Sequence, residues 1–252
     1  MAPKVSVFLP SYNKGEYVLD AMRSVFAQTM TDWELWILEN SNDGKTNKIV
    51  EQWLGIENDN DIREWASRPV QRVHYERLEG EETEKQRREK YMTAWLLNAY
   101  YPRANGEYVF YISDDDLIDP ECFEVMAQEL DSNPGYQVVY AGLRMTVVTR
   151  PGQTGPFPST GIPALDARTF PGTVDQRVDG GQVMHRKSCL DHLVPPYFEE
   201  SPDPQVSKHA DGIFLERLVG RFPFQPVSRY LITHRYTPQS LWARAENAAA
   251  QD

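Results

Sequence analysis

The chain has 252 residues, which is enough for one large α/β domain or for two small ones. With 40% hydrophobic and 25% charged residues, its composition is that of a globular protein and argues against a disordered or fibrous class. The formal net charge of −11 would repel a phosphate backbone, so we expect no nucleic acid polymer as a partner.

Two features of the sequence bear on the cellular compartment. The cysteines, Cys122 and Cys189, lie far apart without metal-ligand spacing, which predicts neither a disulfide framework nor a zinc site. The first residues, MAPKVSVFLPSYN, lack the long apolar core of a signal peptide, and no apolar run is long enough to cross a bilayer. We therefore expect a cytoplasmic protein without a membrane span, with peripheral membrane association left open.

The first half of the chain alternates strand and helix patterns. Residues 5–9 are apolar and rich in β-branched side chains, which predicts a buried parallel strand. Apolar residues then recur at helical spacing over 18–26, and a second strand at 33–38 and a second helix at 46–54 follow. The order βαβα predicts an α/β fold with a mostly parallel sheet and helices on both faces.

The middle of the chain continues this order. A short strand is predicted at 73–75, one helix at about 84–100 and a strongly apolar strand at 108–112. Ligands of such sheets bind at the carboxyl ends of the strands. The next helix has Asp119 as a predicted N-cap, followed by a proline suited to the first helical position.

The second half carries weaker periodicity. A strand region is predicted at 138–148, and residues 150–180, loaded with Gly, Pro and Thr, predict a long loop or lid. Beyond it we expect a short strand, helical pieces near 188–193 and 211–219, and a last strand at 227–232. We expect this half to complete the fold on the side that would bind a second substrate, the acceptor.

An acidic triplet, Asp114, Asp115 and Asp116, directly follows the strand at 108–112. Three consecutive carboxylates repel one another unless a positive charge lies among them, and a hard cation with oxygen ligands would supply it. Mg²⁺ or Mn²⁺ could bridge the triplet to a diphosphate. The alternative is a solvated turn leading to the Asp119 cap.

A second polar cluster, Glu39 to Gly44, follows the second predicted strand on the same edge of the sheet. An acid at this position can accept hydrogen bonds from a base or from ribose hydroxyls. The alternative is turn chemistry, since Asn, Asp and Gly all favour turns.

Taken together, the motifs resemble a known family. The runs VSVFLPSYN at 5–13, SVFAQT at 24–29 and WEL at 33–35, and the spacing to NGEY at 105–108 and the acidic triplet, are similar to those of family-2 inverting glycosyltransferases with the GT-A fold. Within that family the chain looks like the spore-coat polysaccharide glycosyltransferases of bacilli. The resemblance implies one GT-A domain over residues 1–252, with a nucleotide-sugar-binding half at 1–117 and an acceptor-binding half at 118–252.

The resemblance also implies roles for individual residues in the first half. Glu39 would meet the base, although the family usually has Asp there, and Arg87 would approach the nucleotide, in a register that depends on extra residues before it. Asp115 would hold the metal, with Asp116 as the competing ligand. The nucleotide would further be lined by Pro10, Ser11, Tyr12 and Asp114.

In the second half the resemblance points to Asp211 in Ala210-Asp211-Gly212 as the catalytic base. The alternative is a helix N-cap, a position that Asp favours. His185, in a further family-like run, has either a structural role or a contact with phosphates. The remaining histidines have no metal spacing and are interpreted as structural.

These observations predict an inverting, metal-dependent, non-processive glycosyltransferase. It would move a sugar from a UDP- or dTDP-sugar to a hydroxyl of a saccharide, a lipid carrier or a small molecule, with Mn²⁺ or Mg²⁺ as cofactor. The alternatives are a sugar nucleotidyltransferase, which normally has a Gly-rich loop where this chain has Pro10 to Asn13, and a noncatalytic nucleotide-sugar binding protein. The donor sugar, the acceptor and the oligomeric state stay open.

Overall fold

One eight-stranded sheet organises the computed structural model, which describes residues 2–56, 72–148, 174 and 177–237. Short 3₁₀ turns occur at Tyr101–Arg103, Gly180–Gln182 and Lys187–His192. The strands are β1 (Val5–Ser11), β2 (Trp33–Glu39), β3 (Val73–Arg77), β4 (Tyr108–Tyr111), β5 (Leu117–Ile118), β6 (Val138–Val147), β7 (Val183–Arg186) and β8 (Phe224–Tyr236). The α-helices are α1 (Tyr17–Phe26), α2 (Thr46–Leu54), α3 (Glu81–Glu89), α4 (Met92–Tyr100), α5 (Cys122–Ser132), α6 (Pro204–Ser207) and α7 (Ala210–Val219).

The strand order is β3-β2-β1-β4-β7-β6-β8-β5. The first four strands of this order are parallel, as the sequence predicts, whereas β7 is antiparallel to both β4 and β6, and β5 is antiparallel to β8. Every residue of β1 and β2 is buried, as expected of parallel strands covered on both faces. The carboxyl ends of β1, β2 and β4 therefore meet at one edge.

Helices cover both faces of the sheet. Side chains alternate along β1, so that Val7 packs into one core with residues of α1, α2 and α5, while Phe8 packs into a second core with residues of α4 and α7. Burial on both sides holds the strand ends in place.

The helix predicted at about 84–100 is two helices. Lys90 between them has an extended backbone (φ −138°, ψ 151°), and the chain there is held from outside the helix. The Lys90 ammonium lies 2.8 Å from the Glu200 carboxylate, and the Tyr91 N–H donates to the Glu200 carbonyl at 2.8 Å. The contacts of Lys90 and Tyr91 with Glu200 thus coincide with the break between the two helices, and the apolar periodicity of the sequence carries no sign of them.

The predicted N-cap at Asp119 is wrong. Helix α5 begins at Cys122, and the Asp119 carboxylate accepts two hydrogen bonds from Arg144 Nη1, at 2.9 and 3.0 Å. Charge-assisted hydrogen bonds from an arginine satisfy this carboxylate better than one backbone N–H could.

Most of the loop or lid predicted at 150–180 lies outside the described residues. The last strand is longer than predicted, Phe224–Tyr236 rather than 227–232, and the helical piece near 188–193 is the 3₁₀ turn Lys187–His192. Among the described residues, no helix is both long and apolar enough to cross a membrane.

Candidate functional site

A cavity of about 200 Å³ opens at the carboxyl edge of the parallel strands. Four of the residues predicted for the first half line it, and Asp211 of the second half faces them across it. Residues not singled out by the sequence line it as well. The polar and charged lining includes Tyr12, Lys14, Asp114, Asp115, Asp179, Asp211 and His234, and the apolar lining includes Pro10, Ala94, Leu97 and Phe198.

The loops after β1 and β2 are tied to each other. Asn40 donates to the Ser11 carbonyl from its backbone N–H at 3.0 Å and from its side chain at 2.7 Å. The Tyr12 N–H donates to the Asp114 carboxylate at 2.8 Å. Asn13 has a positive φ of 55°, which Asn tolerates better than most residues, and its N–H donates to the Ser41 hydroxyl at 2.8 Å. These bonds fix Tyr12 over the cavity.

Four buried polar groups lie together at the ends of β1 and β2. Ser11 pairs with Glu39 in the register of these strands, and Asn40 follows Glu39. Eight buried side-chain N or O atoms in the described part of the chain have no hydrogen-bond partner, and half of them belong to Ser11, Glu39, Asn40 and Arg87. Burial raises the pKa of Glu39. Because buried atoms without a hydrogen-bond partner are rare, this concentration marks a place where water or a polar ligand can bind.

Arg87 reaches this place from helix α3. Its guanidinium donates to the Asn40 carbonyl and lies 5.6 Å from the centre of the Tyr12 ring. The structure therefore brings Arg87 to Tyr12 and to the backbone of Asn40, which follows Glu39, although Arg87 also pairs with Glu84 of its own helix.

The acidic triplet is neutralised in part by Lys14. The Lys14 ammonium lies 2.6 Å from one Asp115 oxygen and 4.0 Å from one Asp114 oxygen. Burial, against the opposing effect of Lys14, raises the pKa of Asp114 to about 7, and the Asp115 charge adds to this rise. Burial alone would raise the pKa of Asp115 as well, but the charge of Lys14 outweighs burial, so that the pKa of Asp115 is lowered. Divergent pKa values in one cleft are typical of functional sites.

Asp116 points away from the cavity. It is 1% exposed, its carboxylate lies 3.0 Å from His234 Nδ1, and it accepts the Arg235 N–H at 3.0 Å. Burial would lower the pKa of His234, but Asp116, Asp179 and Asp115 raise it to about 10. The expectation that Asp116 competes for a metal therefore does not fit the structure, since its oxygens are already taken by groups of β8.

If a divalent cation binds in this cavity, Asp115 is the residue placed to hold it, rather than the acidic triplet as a whole. No group of three or more His, Cys, Asp or Glu side chains in the described ranges is arranged to hold a metal ion. Asp115 does face the cavity, however, and Mg²⁺ is commonly bound by one or two carboxylates together with substrate phosphates. The residues present fit a cation that a diphosphate would carry in.

Asp211 is the second residue of α7 and is not its N-cap. His209 takes the cap position, and one Asp211 oxygen accepts the Gly180 N–H at 3.0 Å. Gly180 opens a 3₁₀ turn capped by Asp179 and tied to β6 through Gln182, whose side chain donates to the Ala141 carbonyl at 2.8 Å. A Cβ on Gly180 would lie 3.1 Å from the Asp211 Cβ, so glycine permits this close approach.

His185 does not line the cavity. It lies in β7 at 5.7 Å from the Phe214 ring and 6.2 Å from the Tyr101 ring, and its Nδ1–H donates to the Arg186 carbonyl at 2.9 Å. Burial lowers the pKa of His185 to about 4, so the ring is neutral at pH 7. Of the two roles expected for His185, the structure supports the structural one.

The NGEY motif lies at the opposite, amino end of the sheet. Asn105 donates to the Glu34 carboxylate from its backbone at 2.8 Å and from its side chain at 3.0 Å, and Ser6 and His74 bind the same carboxylate. A Cβ on Gly106 would lie 2.6 Å from the Ser6 nitrogen, so only glycine fits there. This motif supports the fold and does not reach the cavity.

Sequence reasoning missed Lys14, Asp179 and His234. Lys14 directly follows the motif at 5–13 and could have been noticed as a cation beside the acids. Asp179 falls in the stretch read as a loop, and His234 lies in a strand more than 100 residues after the triplet, so neither carries a local signal.

Comparisons with known proteins bear on the family and the fold. Residues 6–65 match the sequence model of Glycosyl transferase family 2. Protein CgeD of Bacillus subtilis is 31% identical over 244 residues, which is 95% of this chain and 52% of CgeD. The putative teichuronic acid biosynthesis glycosyltransferase TuaG of B. subtilis is 30% identical over 114 residues, covering 45% of this chain and 36% of TuaG. The chain thus spans about half the length of CgeD and about a third of the length of TuaG.

Among solved structures, residues 1–349 of Staphylococcus aureus TarS in complex with UDP superpose with a TM-score of 0.61. The match covers 93% of this chain and 61% of that one, at 17% identity. The same TarS fragment bound to UDP-GlcNAc also gives a TM-score of 0.61. At this identity the likeness concerns the fold.

Proposed function

We propose that this chain, whose residues 6–65 match Glycosyl transferase family 2 and whose fold is like that of TarS, transfers one sugar from a nucleotide diphosphate sugar to an acceptor hydroxyl. The proposal rests on one observation: a buried side-chain atom without a hydrogen-bond partner occurs in each of Ser11, Glu39, Asn40 and Arg87, next to a cavity lined by an acid, Asp211. The match of residues 6–65 to the family supports the resemblance found in the sequence, and the likeness to TarS supports the expected fold.

The nucleotide would occupy the ends of β1 and β2. Glu39 and Asn40 offer hydrogen-bonding groups to a base, and Tyr12, with the Arg87 guanidinium beside it, offers a flat face for stacking. Asp114 would accept from the ribose, since its carboxylate faces the cavity next to Tyr12. We infer UDP or dTDP as the carrier, on the model of the UDP and UDP-GlcNAc complexes of TarS, which has a similar fold.

The reaction would be a single displacement. One Asp211 oxygen is held by the Gly180 N–H, and the carboxylate takes the proton of the acceptor hydroxyl as that oxygen attacks the anomeric carbon. The bond from the anomeric carbon to the diphosphate breaks, and the configuration inverts. A divalent cation at Asp115, Mn²⁺ or Mg²⁺, would supply positive charge to the leaving diphosphate. The acidic side chain in the cavity favours a transferase over a noncatalytic binding protein.

Ligand-dependent unfolding tests this proposal. UDP or dTDP with Mn²⁺ should raise the melting temperature, because a ligand at 100 times its Kd stabilises by about 2.7 kcal/mol. The shift should vanish in EDTA and in Asp115→Ala, and it should persist in the matched control Asp116→Asn, whose side chain does not line the cavity. Equal shifts with and without EDTA would remove the metal from the mechanism.

The same panel tests the function itself. Release of UDP or dTDP from a series of nucleotide sugars, with water as a slow acceptor, should be detectable for at least one donor. If no nucleotide diphosphate stabilised the protein under any condition, the proposed function would be wrong.

A further inference from the structure

The Lys14–Asp115 ion pair occupies the place where a donor-bound cation would need Asp115. The ammonium lies 2.6 Å from Asp115 Oδ2, and the side chains of Lys14, Asp114 and Asp115 are 11%, 10% and 6% exposed. Thr237 donates to the same Asp115 oxygen at 3.0 Å. A carboxylate this deeply buried is costly to leave without a cation.

Hydrogen bonds fix the backbone around Lys14, and the Lys14 side chain lies at the wall of the cavity. Asn13 is bonded to Ser41 on one side, and the Gly15 N–H donates to the Thr46 hydroxyl at 2.9 Å on the other. The flexible four-carbon stem of lysine lets the ammonium move without the backbone, and Lys14 lines the cavity. The ammonium can therefore exchange Asp115 for an anion that enters there.

A divalent cation and the ammonium compete for Asp115. A cation that arrives alone would expel the ammonium from a buried ion pair and give it no new anion. A cation that arrives with a diphosphate would supply that anion. Binding of the cation and of the diphosphate should thus favour each other, and the coupling is reciprocal by thermodynamic linkage.

We propose that Lys14 is a resident counter-cation of Asp115 that yields its place to a divalent cation only when a nucleotide diphosphate enters with it. This inference rests on the proposed function in one respect, the identity of the anion. The consequence is that the site takes up its metal together with the donor rather than beforehand. His234 and the Arg235 N–H bind the Asp116 carboxylate, and the Arg235 side chain donates to the Asp115 carbonyl, so Lys14 is the cation whose ammonium directly contacts the Asp115 carboxylate.

Mn²⁺ binding without nucleotide tests the exchange directly, and electron paramagnetic resonance of free Mn²⁺ measures it. Lys14→Met removes the charge while keeping the length of the side chain, and it should bind Mn²⁺ at least about 10-fold more tightly than the wild type. The matched control is Lys45→Met, a nearby exposed lysine, which should bind Mn²⁺ as the wild type does.

The coupling is the second measurement. In the wild type, UDP should tighten Mn²⁺ binding by about 5–150-fold, the usual range of coupling between two ligands. In Lys14→Met this factor should be several-fold smaller than in the wild type, leaving only the coupling that comes from direct contact of the cation with the diphosphate. Unchanged Mn²⁺ affinity and unchanged coupling in Lys14→Met would overturn the inference while leaving the proposed function intact.

The experiment also separates failure of the proposed function from failure of the inference about Lys14. If the wild type binds neither UDP nor dTDP, the proposed function fails, but tighter Mn²⁺ binding by Lys14→Met would still establish the counter-cation role. If Lys14→Met does not fold, Lys14→Arg keeps the charge and can pair bidentately with Asp115. That variant should bind Mn²⁺ alone more weakly than the wild type, and wild-type affinity there would overturn the inference.

Discussion

The two ends of the parallel sheet each bury acidic side chains, and they compensate the charge in different ways. At the amino end, Glu34 accepts hydrogen bonds from Ser6, Asn105 and His74. Burial would raise the pKa of Glu34, but these bonds lower it to about 2. This carboxylate is ionised and fully engaged.

At the carboxyl end, the acids lie against long flexible cations and an open cavity. Asp115 is held by Lys14, and the pKa values of Asp114 and Asp115 are shifted in opposite directions. The comparison teaches that burial of an acid does not by itself mark a functional site. What distinguishes the carboxyl end is that Asp114 and Asp115 face a cavity and lie against the flexible side chain of Lys14, which faces the same cavity.

The largest effect is expected for Asp211→Asn at the carboxyl end. The amide keeps the shape and can still accept from Gly180, but it cannot take a proton, so transfer should fall by roughly 10²–10⁴-fold. Nucleotide binding and the melting temperature should stay near those of the wild type. Single-turnover release of the nucleotide diphosphate measures the rate.

The control for this variant is Asp203→Asn, since Asp203 does cap a helix, accepting the Gln205 N–H at 2.9 Å. Asn is an equally good cap, so activity should persist. A rate for Asp211→Asn within a few-fold of the wild type would exclude Asp211 as the base.

At the amino end the expected effect is on stability alone. Glu34→Ala leaves the donors of Ser6 and Asn105 without their acceptor, and two hydrogen bonds to a charged group at about 1.5 kcal/mol each put the loss at about 3 kcal/mol or more. Urea unfolding measures it. Nucleotide binding by the folded fraction should be unchanged.

The matched control is Glu107→Ala at the same end. Glu107 is an exposed acid that pairs with Lys4 at 2.7 Å, and exposed pairs contribute at most about 1 kcal/mol. If Glu34→Ala instead abolished nucleotide binding at wild-type stability, the contrast between the two ends would be wrong.

A smaller effect is expected for Arg87→Ala. If Arg87 binds the nucleotide diphosphate, the loss of hydrogen bonds to a charged group should weaken binding by about 1.5–3 kcal/mol. Calorimetric titration with UDP and Mn²⁺ measures it. Arg88→Ala, an exposed arginine of the same helix, should bind normally, and equal affinities of the two variants would show that the register leading to Arg87 is wrong.

The sequence by itself determined the parallel half of the fold and the edge at which the acids gather. Continuous apolar runs such as 5–9 and 33–38 identify strands covered on both faces, and acids that directly follow such strands must lie at their carboxyl ends. These features depend on neighbours in the chain, so one sequence is enough to recognise them. The positions of Glu39 and Asp114 at this edge follow from the same reasoning.

Only the tertiary structure decided what each acid does. Asp116 lies next to Asp115 in the chain, yet it is bound by His234 and Arg235 of β8, whereas Asp115 is bound by Lys14 from the loop after β1. Likewise, the N–H that holds the Asp211 carboxylate belongs to Gly180, which lies 31 residues earlier in the chain. Partners so far apart in the chain leave no periodic signal, because the distance between them is set by the packing of strands and helices.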